Sequence, residues 1–375
     1  MRPHVDQRQA HVLALVQARG SVRVADLAQE LGVSPVTLRR DIEAMAARGE
    51  IHRMHGVISR LEAGRSPVAA APASGAAGAA ARALASGGVS AEAEGLVIGM
   101  VVPTTEYYYA EVVRGAREVV EARGARLTVG LTRYLPGEDR TQADRLLSTG
   151  ADGLLLTPNW DTGSPGPGEG AWTAELPVPT VLVERWAPPG HAAAALDRVT
   201  SDHAHGAACA VQHLVELGHR RIALASRETP TTARLRTGYE AAVAALGLEP
   251  APAWPAAGPG PLSDADAFAR TLDYLHEAVT KGGVTAALIH SDTDAIMLIP
   301  RLQARGVRVP EDLAVITYDD EVAGLADVPL SAVAPAKGEV GARAAGLLLD
   351  RLAGGASYES PRQHLELLPR LTIRS

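Results

Sequence analysis

From Leu96 onward, short apolar runs alternate with longer amphipathic ones. Residues 96–102, 127–131, 153–157, 180–184, 221–225, 286–290 and 313–317 are strand-length and rich in Val, Ile and Leu. They lack the strict alternation of half-exposed strands, as expected where both faces are covered, and helical segments such as 111–123 and 204–217 separate them. This order predicts a doubly wound α/β fold with parallel sheets, in which ligands bind beyond the carboxyl ends of the strands. Residues 63–94 are nearly all Ala, Gly, Ser and Pro, with little to contribute to a core. They read as a linker that, as a flexible coil, spans on the order of 30 Å. Residues 163–170 and 251–261, rich in Gly or Pro, read as surface loops.

The first sixty residues have another pattern. Leu38, Ile42 and Met45 recur at helical spacing, leaving Thr37, Arg39, Arg40 and Glu43 on the opposite face. Ser34 suits the N-cap and Pro35 the first helical position. Upstream, residues 24–31 form a second amphipathic run, joined to the first through Gly32-Val33, a turn of helix-turn-helix length. Downstream, residues 49–58 carry the glycines and alternating apolar residues of a hairpin, which would be a wing.

On Ser34-Pro35-Val36-Thr37-Leu38-Arg39-Arg40-Asp41 and Gly49-Glu50-Ile51-His52-Arg53-Met54-His55-Gly56, this region resembles the winged helix-turn-helix of DeoR-type regulators. The resemblance implies a DNA-binding domain over residues 1–62. It places DNA contacts on Ser34, Thr37, Arg39 and Arg40, with Arg53 and His55 on the wing. The chain has Val57 where the family usually has a second wing glycine. Chemically the choice is sound: an arginine fork can bridge guanine O6 and N7 or clamp a phosphate, and a threonine can reach a phosphate or a thymine methyl.

At 375 residues the chain is long enough for two or three compact units. Its net charge of -7 argues against sequence-blind polyanion binding, so DNA affinity must be local. Residues 1–61 do carry three more arginines than Asp plus Glu. The lone Cys209 excludes an internal disulfide, fits a reducing cytoplasm and reads as a small buried helix residue. No signal peptide is visible, and Pro72, Gly75, Gly78 and Arg82 interrupt the most apolar stretch, so no membrane association is expected.

Aromatics make up only 3% of the chain, yet Tyr107, Tyr108, Tyr109, Trp160, Trp186 and Tyr318 all fall at strand ends. Thr104, Thr105, Thr157, Asn159, Glu184, Arg185, Asp202, Ser291, Asp292, Asp319 and Asp320 converge there too. Rings that cover C–H faces, next to charged donors and acceptors for hydroxyls, suit a sugar-like ligand. Plugged helix starts and helix caps are the competing explanation.

Residues 95–375 also resemble the effector domain of LacI-type repressors, itself akin to periplasmic sugar-binding proteins. The carriers are His213-Leu214-Val215-Glu216-Leu217-Gly218-His219-Arg220-Arg221-Ile222-Ala223, Ala233-Arg234-Leu235-Arg236-Thr237-Gly238-Tyr239, and residues 306–320. The resemblance implies two lobes, about 95–197 with 337–351 and about 198–336 with 352–375, and an effector in the cleft between them. It places effector contacts on Glu184, Arg236 and Asp319, with the loop from Thr104 to Tyr109 closing over the ligand; Tyr107, Tyr108, Thr157, Trp160, Trp186, Ser291 and Asp292 complete the candidate set. Ser291-Asp292 departs from the usual Asn-Asp, and the LacI-type DNA head and hinge helix are absent. Signalling is therefore expected to run through the packing of paired effector domains, which would set the separation of two DNA heads.

Enzymatic motifs are weak. Asp202-His203-Ala204-His205 has metal-like content, but histidines two apart on a helix point to different sides, and Asp202 suits a helix cap. Adjacent His290, Ser291 and Asp292 cannot form a relay among themselves. No cofactor, metal site or catalytic residue is implied. The leading expectation is a cytoplasmic DNA-binding regulator, a homodimer whose partners are a double-stranded operator and a sugar effector. It would repress sugar uptake or breakdown. A sugar-modifying enzyme or a sugar-binding sensor carrying a DNA head is the alternative.

Overall fold

The computed structural model describes residues 93–253, 264–354 and 360–374, with residues 12, 13, 15, 21–23, 45, 52–54 and 57–59 from the amino-terminal region. The chain divides into two compact units, Met1–Gly87 and Gly88–Ser375. In the first, β1 (Ser21–Arg23), β2 (His52–Met54) and β3 (Val57–Ser59) form an antiparallel sheet in the order β1-β3-β2. The β2–β3 hairpin pairs Met54 with Val57, and it falls on the stretch read as a wing. Val12 and Met45 are buried. Arg53 lies on β2; Ser34, Thr37, Arg39, Arg40 and His55 lie outside the described residues.

The second unit holds two sheets. One has the order β13-β8-β7-β6-β4-β5, built from β4 (Val97–Val102), β5 (Arg126–Leu131), β6 (Gly153–Leu156), β7 (Thr180–Val183), β8 (Asp197–Ser201) and β13 (His364–Leu367), all parallel. The other has the order β14-β12-β11-β10-β9, from β9 (Ile222–Ser226), β10 (Ala286–His290), β11 (Ala314–Tyr318), β12 (Ser331–Ala334) and β14 (Arg370–Thr372). Only β14 runs antiparallel to its neighbour. Helices cover both faces of each sheet, which explains the missing alternation in the sequence. On β4, Ile98, Met100 and Val102 pack under α1 (Tyr108–Ala122) and α7 (Lys337–Ala353), whereas Val101 faces α2 (Glu138–Ser148). In the second sheet Leu224 and Leu288 pack with α3 (His203–Glu216) and α4 (Thr232–Ala245). Ala225 and Ile289 pack with α5 (Asp264–Thr280) and α6 (Asp292–Ala304).

Helices α1 and α7 approach until backbone meets backbone. A Cβ on Gly115 would stand 1.9 Å from the Gly338 carbonyl oxygen, and one on Gly341 would stand 1.9 Å from that of Val112. Only glycine allows such proximity. The chain passes between the lobes three times, from β8 to α3, from β12 to α7 and from β13 to β14.

Two boundaries differ from the sequence reading. Asp197–Ser201 and His364–Leu367, assigned there almost entirely to the second lobe, are strands of the first lobe's sheet, because β8 pairs with β7 and β13 with β8. A buried charge fixes this edge. The Asp197 carboxylate accepts from Arg351 Nε and Nη2 at 2.8 and 2.7 Å, from Arg362 at 3.1 Å and from the Gln363 amide at 2.7 Å. Asp202 caps α3 by accepting from the His205 amide at 2.9 Å, as its position predicts. Cys209, expected to be buried, is half-exposed on α3, its Sγ 3.2 Å from His205 Nε2.

Candidate functional site

In both lobes the carboxyl ends of the parallel strands open onto one cavity of about 330 Å³. From the first lobe come Tyr107, Tyr108 and Tyr109 after β4, Tyr134 after β5, Glu184, Arg185 and Trp186 after β7, and Ser201 at the end of β8. The second lobe supplies His203, Arg227, Arg234, His290, Ser291 and Asp319. Several of these backbones are strained. Tyr107, Tyr134, Glu184 and Asp319 have φ of 49°, 57°, 53° and 71° without being glycine. Such conformations cost roughly 1–3 kcal/mol each and collect where function needs a side chain aimed in a fixed direction.

Glu184 is the hub of the first lobe's wall. Its Oε1 accepts from Tyr108 Oη at 2.6 Å and Ser201 Oγ at 2.8 Å; Oε2 accepts from the Ser201 amide at 3.1 Å and lies 3.4 Å from His203 Nε2. Burial pushes this carboxyl up, but His203, Tyr108 and the Ser201 amide outweigh it and hold it below its ordinary range. Burial, then the Glu184 charge, drives the Tyr108 hydroxyl well above its usual value, so it remains a donor. His203 Nδ1 in turn sits 2.9 Å from Tyr318 Oη.

The opposite wall centres on two aspartates. Asp292 Oδ2 accepts from the amides of Glu321, Val322 and Ala323 at 2.7, 2.6 and 3.1 Å, and Oδ1 receives the hydroxyl of Tyr107. Asp319 lies 3.5 Å from Lys337 Nζ and 3.8 Å from His290 Nε2. Burial holds the His290 imidazole below its ordinary pKa, against the pull of Asp319. Lys337, at the start of α7, is 5% exposed; its ammonium also contacts Glu321 at 2.6 Å and lies 4.9 Å from the Tyr108 ring centre. At the mouth, the Arg234 guanidinium lies 4.5 Å from the Trp186 ring centre. Arg185 is almost fully buried, donating to the Pro158 carbonyl at 2.7 Å, the Glu184 carbonyl at 2.8 Å and Tyr109 Oη at 3.2 Å.

Of the candidates read from sequence, Tyr107, Tyr108, Tyr109, Glu184, Trp186, Ser291 and Asp319 come together around the cavity. Asp292 stands behind them, fixing Tyr107 and the 321–323 turn. Four do not line it. Thr104 Oγ1 accepts from the Glu106 amide, Thr157 is buried and donates to the Val183 carbonyl, and Trp160 is packed in the core with Leu154 and Leu182. Arg236 points elsewhere and pairs with Glu228 at 3.0 Å. Positions two apart on a helix differ by roughly 200°, so with Leu235 facing the core only one of Arg234 and Arg236 can reach the cleft, and Arg234 does. Sequence reasoning also left His203, His290 and Lys337 without a place in the site, since their partners come from distant segments; the only available signal was their position at strand ends or helix starts.

Residues 8–63 match the family described as DeoR-like helix-turn-helix domain, and residues 211–375 the family described as periplasmic binding protein-like domain. The HTH-type transcriptional repressor PurR of Haemophilus influenzae (strain PittEE) is 28% identical over 283 residues, 74% of this chain and 80% of that protein. The repressor CytR of Escherichia coli (strain K12) is 28% identical over 70% of this chain and 74% of its own length. The chain is a transcriptional regulator. Among solved structures, the regulator is similar to a LacI family transcriptional regulator from Mycobacterium smegmatis, with a TM-score of 0.59 and 26% identity over 74% of this chain and 98% of that one. Its two modules thus match two different kinds of regulator, and it binds DNA under the control of an effector.

Proposed function

We propose that the regulator represses genes of sugar uptake or breakdown and that a sugar-like effector, held between the lobes, sets its affinity for operator DNA. The observation that carries this reading is the cavity itself: aromatic faces beside fixed carboxylates and guanidinium groups, contributed by both lobes, match a ligand with C–H faces and many hydroxyls. A ligand touching both walls binds one relative placement of the lobes better than another, and only such a difference can shift the equilibrium. In this reading the regulator acts in the cytoplasm as a homodimer on a roughly palindromic site and catalyses no reaction on its effector. Residues 1–62 form the DNA head, with Ser34, Thr37, Arg39, Arg40, Arg53 and His55 at the double helix. Residues 63–94 form the tether and 95–375 the sensor.

The test selects operators from random-sequence DNA with the full chain, then titrates the enriched sequence with neutral and acidic sugars. Enrichment of a two-fold symmetric site whose affinity changes with one class of sugar supports the proposal. A chain that enriches no sequence, or whose operator affinity no sugar alters, refutes it.

A further inference from the structure

One side of the cleft carries more donors than acceptors. Arg198 on β8 and Arg234 on α4 come from different lobes, yet both reach toward the same atom, Glu366 Oε1, at 3.4 and 3.9 Å. A single carboxylate, itself 37% exposed, thus serves two guanidinium groups. Burial, against Glu366 and with the like charge of Arg234, holds Arg198 below its ordinary pKa. Beside them, Trp186 Nε1 and Arg185 Nη2 are buried with no acceptor among the described residues, as is Arg198 Nε. Arg185, Trp186, Arg234 and Glu366 all line the cavity. Buried N–H groups left without an acceptor are destabilising, the more so when charged.

The carboxylates of the cleft offer no comparable surplus. Glu184 has Tyr108, Ser201 and His203, and Asp202 caps α3. Arg227 is paired with Asp294 at 2.8 Å. Asp319 is the exception: its Oδ2 faces His290 and Tyr107, and its Oδ1, 3.5 Å from the Lys337 ammonium, receives no hydrogen bond among the described residues. The cavity lining therefore joins the donors of Arg234, Trp186 and Arg185 to an acceptor on Asp319.

We propose that the effector carries an oxyanion, a carboxylate or a phosphate, seated on the Arg234 guanidinium against the wall formed by Arg185 and Trp186. Its hydroxyls face Asp319. This rests on the reading of the cleft as a sugar site and narrows it from neutral sugars to sugar acids or sugar phosphates. A guanidinium whose carbon lies over an indole ring can still present N–H groups to such an anion.

The experiment follows the melting temperature of the full chain in inorganic phosphate, D-gluconate, D-glucose 6-phosphate and D-glucose, at ionic strength fixed with sodium chloride, because a ligand of the folded form raises the melting point. Phosphate is expected to stabilise the wild type beyond chloride. Arg234→Gln, a substitution on a partly exposed helix face, is expected to weaken phosphate roughly tenfold or more, as befits a lost charge-assisted bond. Glu366→Gln removes the competing carboxylate and is expected to tighten it. A larger shift with gluconate points to a sugar acid, and one with glucose 6-phosphate to a sugar phosphate. Phosphate that acts no differently from chloride, or equally on wild type and Arg234→Gln, overturns the proposal. Stabilisation by glucose alone overturns it too but leaves the sugar site standing, whereas an Arg234-dependent phosphate effect with no response to any sugar supports the anion seat and removes the sugar.

Discussion

The hydroxyl of Tyr107, from the first lobe, donates to the Asp292 carboxylate of the second, and Asp292 in turn gathers the amides of Glu321, Val322 and Ala323. One side chain thus ties the strand ends of one sheet to a turn of the other. Tyr107 holds a positive φ while doing so. The two lobes are thus fastened to each other by a hydrogen bond to a carboxylate.

Tyr107→Phe should loosen that fastening while keeping the ring. The bond is worth about 1.5–3 kcal/mol as a charged hydrogen bond. Lower melting temperature and a larger radius of gyration in solution scattering are expected; a variant as compact and as stable as the wild type would contradict the cross-lobe role.

Stability should depend on pH through His290. Its folded-state pKa lies below the ordinary value of 6.5, so the unfolded chain takes up the proton first as pH falls. Stability therefore declines as pH drops through and below 6.5. His290→Gln should flatten that part of a melting-temperature profile between pH 8 and pH 5. Glu184 adds to the decline further down, since its lowered pKa favours the folded state until the pH falls below the ordinary carboxylate range. An unchanged slope between pH 8 and pH 5 in His290→Gln would count against this assignment.

Asp197→Ala removes the partner of Arg351, whose side chain is 5% exposed. Breaking a buried pair from one side typically costs about 3–5 kcal/mol, because the remaining charge keeps its desolvation penalty. Chemical denaturation should show a loss of that size. Asp312→Ala, which breaks an exposed pair with Arg308, should change little by comparison.

The two modules should fail separately. Arg40→Ala is expected to reduce operator binding while leaving the melting temperature of the effector unit and its response to ligands intact. Arg236→Ala, on the solvent side of α4, should leave both functions near wild type, since its ion pair with Glu228 is exposed. Gel shift and thermal shift on the same preparations separate these outcomes, and an Arg236→Ala protein deaf to ligands that the wild type senses would restore that residue to the cleft.

Much of this architecture was legible in the residue order. The seven apolar runs fall on β4, β5, β6, β7, β9, β10 and β11, since continuous apolar stretches of that length suit strands covered on both faces, although β5 at the sheet edge is partly exposed. Strands β8, β12, β13 and β14 gave no such signal. Asp197, Arg198, Glu366 and Arg370 interrupt β8, β13 and β14, and the charges of Asp197 and Arg198 are answered by residues far away in sequence; β12, Ser331–Ala334, is simply short. At the site, rings and carboxylates after strand ends marked Tyr107, Glu184 and Asp319. The resemblance placed the contact on Arg236, and spacing from the motif alone cannot decide which of two nearby helix positions faces inward. Lys337 was read only as a lobe boundary, although it bridges carboxylates of one lobe and tyrosine rings of the other.

The late return of the chain has a consequence for synthesis. Helix α7 completes the first lobe, and β13 and β14 then add an edge to each sheet. Neither half can finish folding while the ribosome still holds the residues after 336, and a message truncated there would yield a product with both lobes unsealed. Sensing would be lost with it, because neither wall of the cleft would be held by a completed sheet.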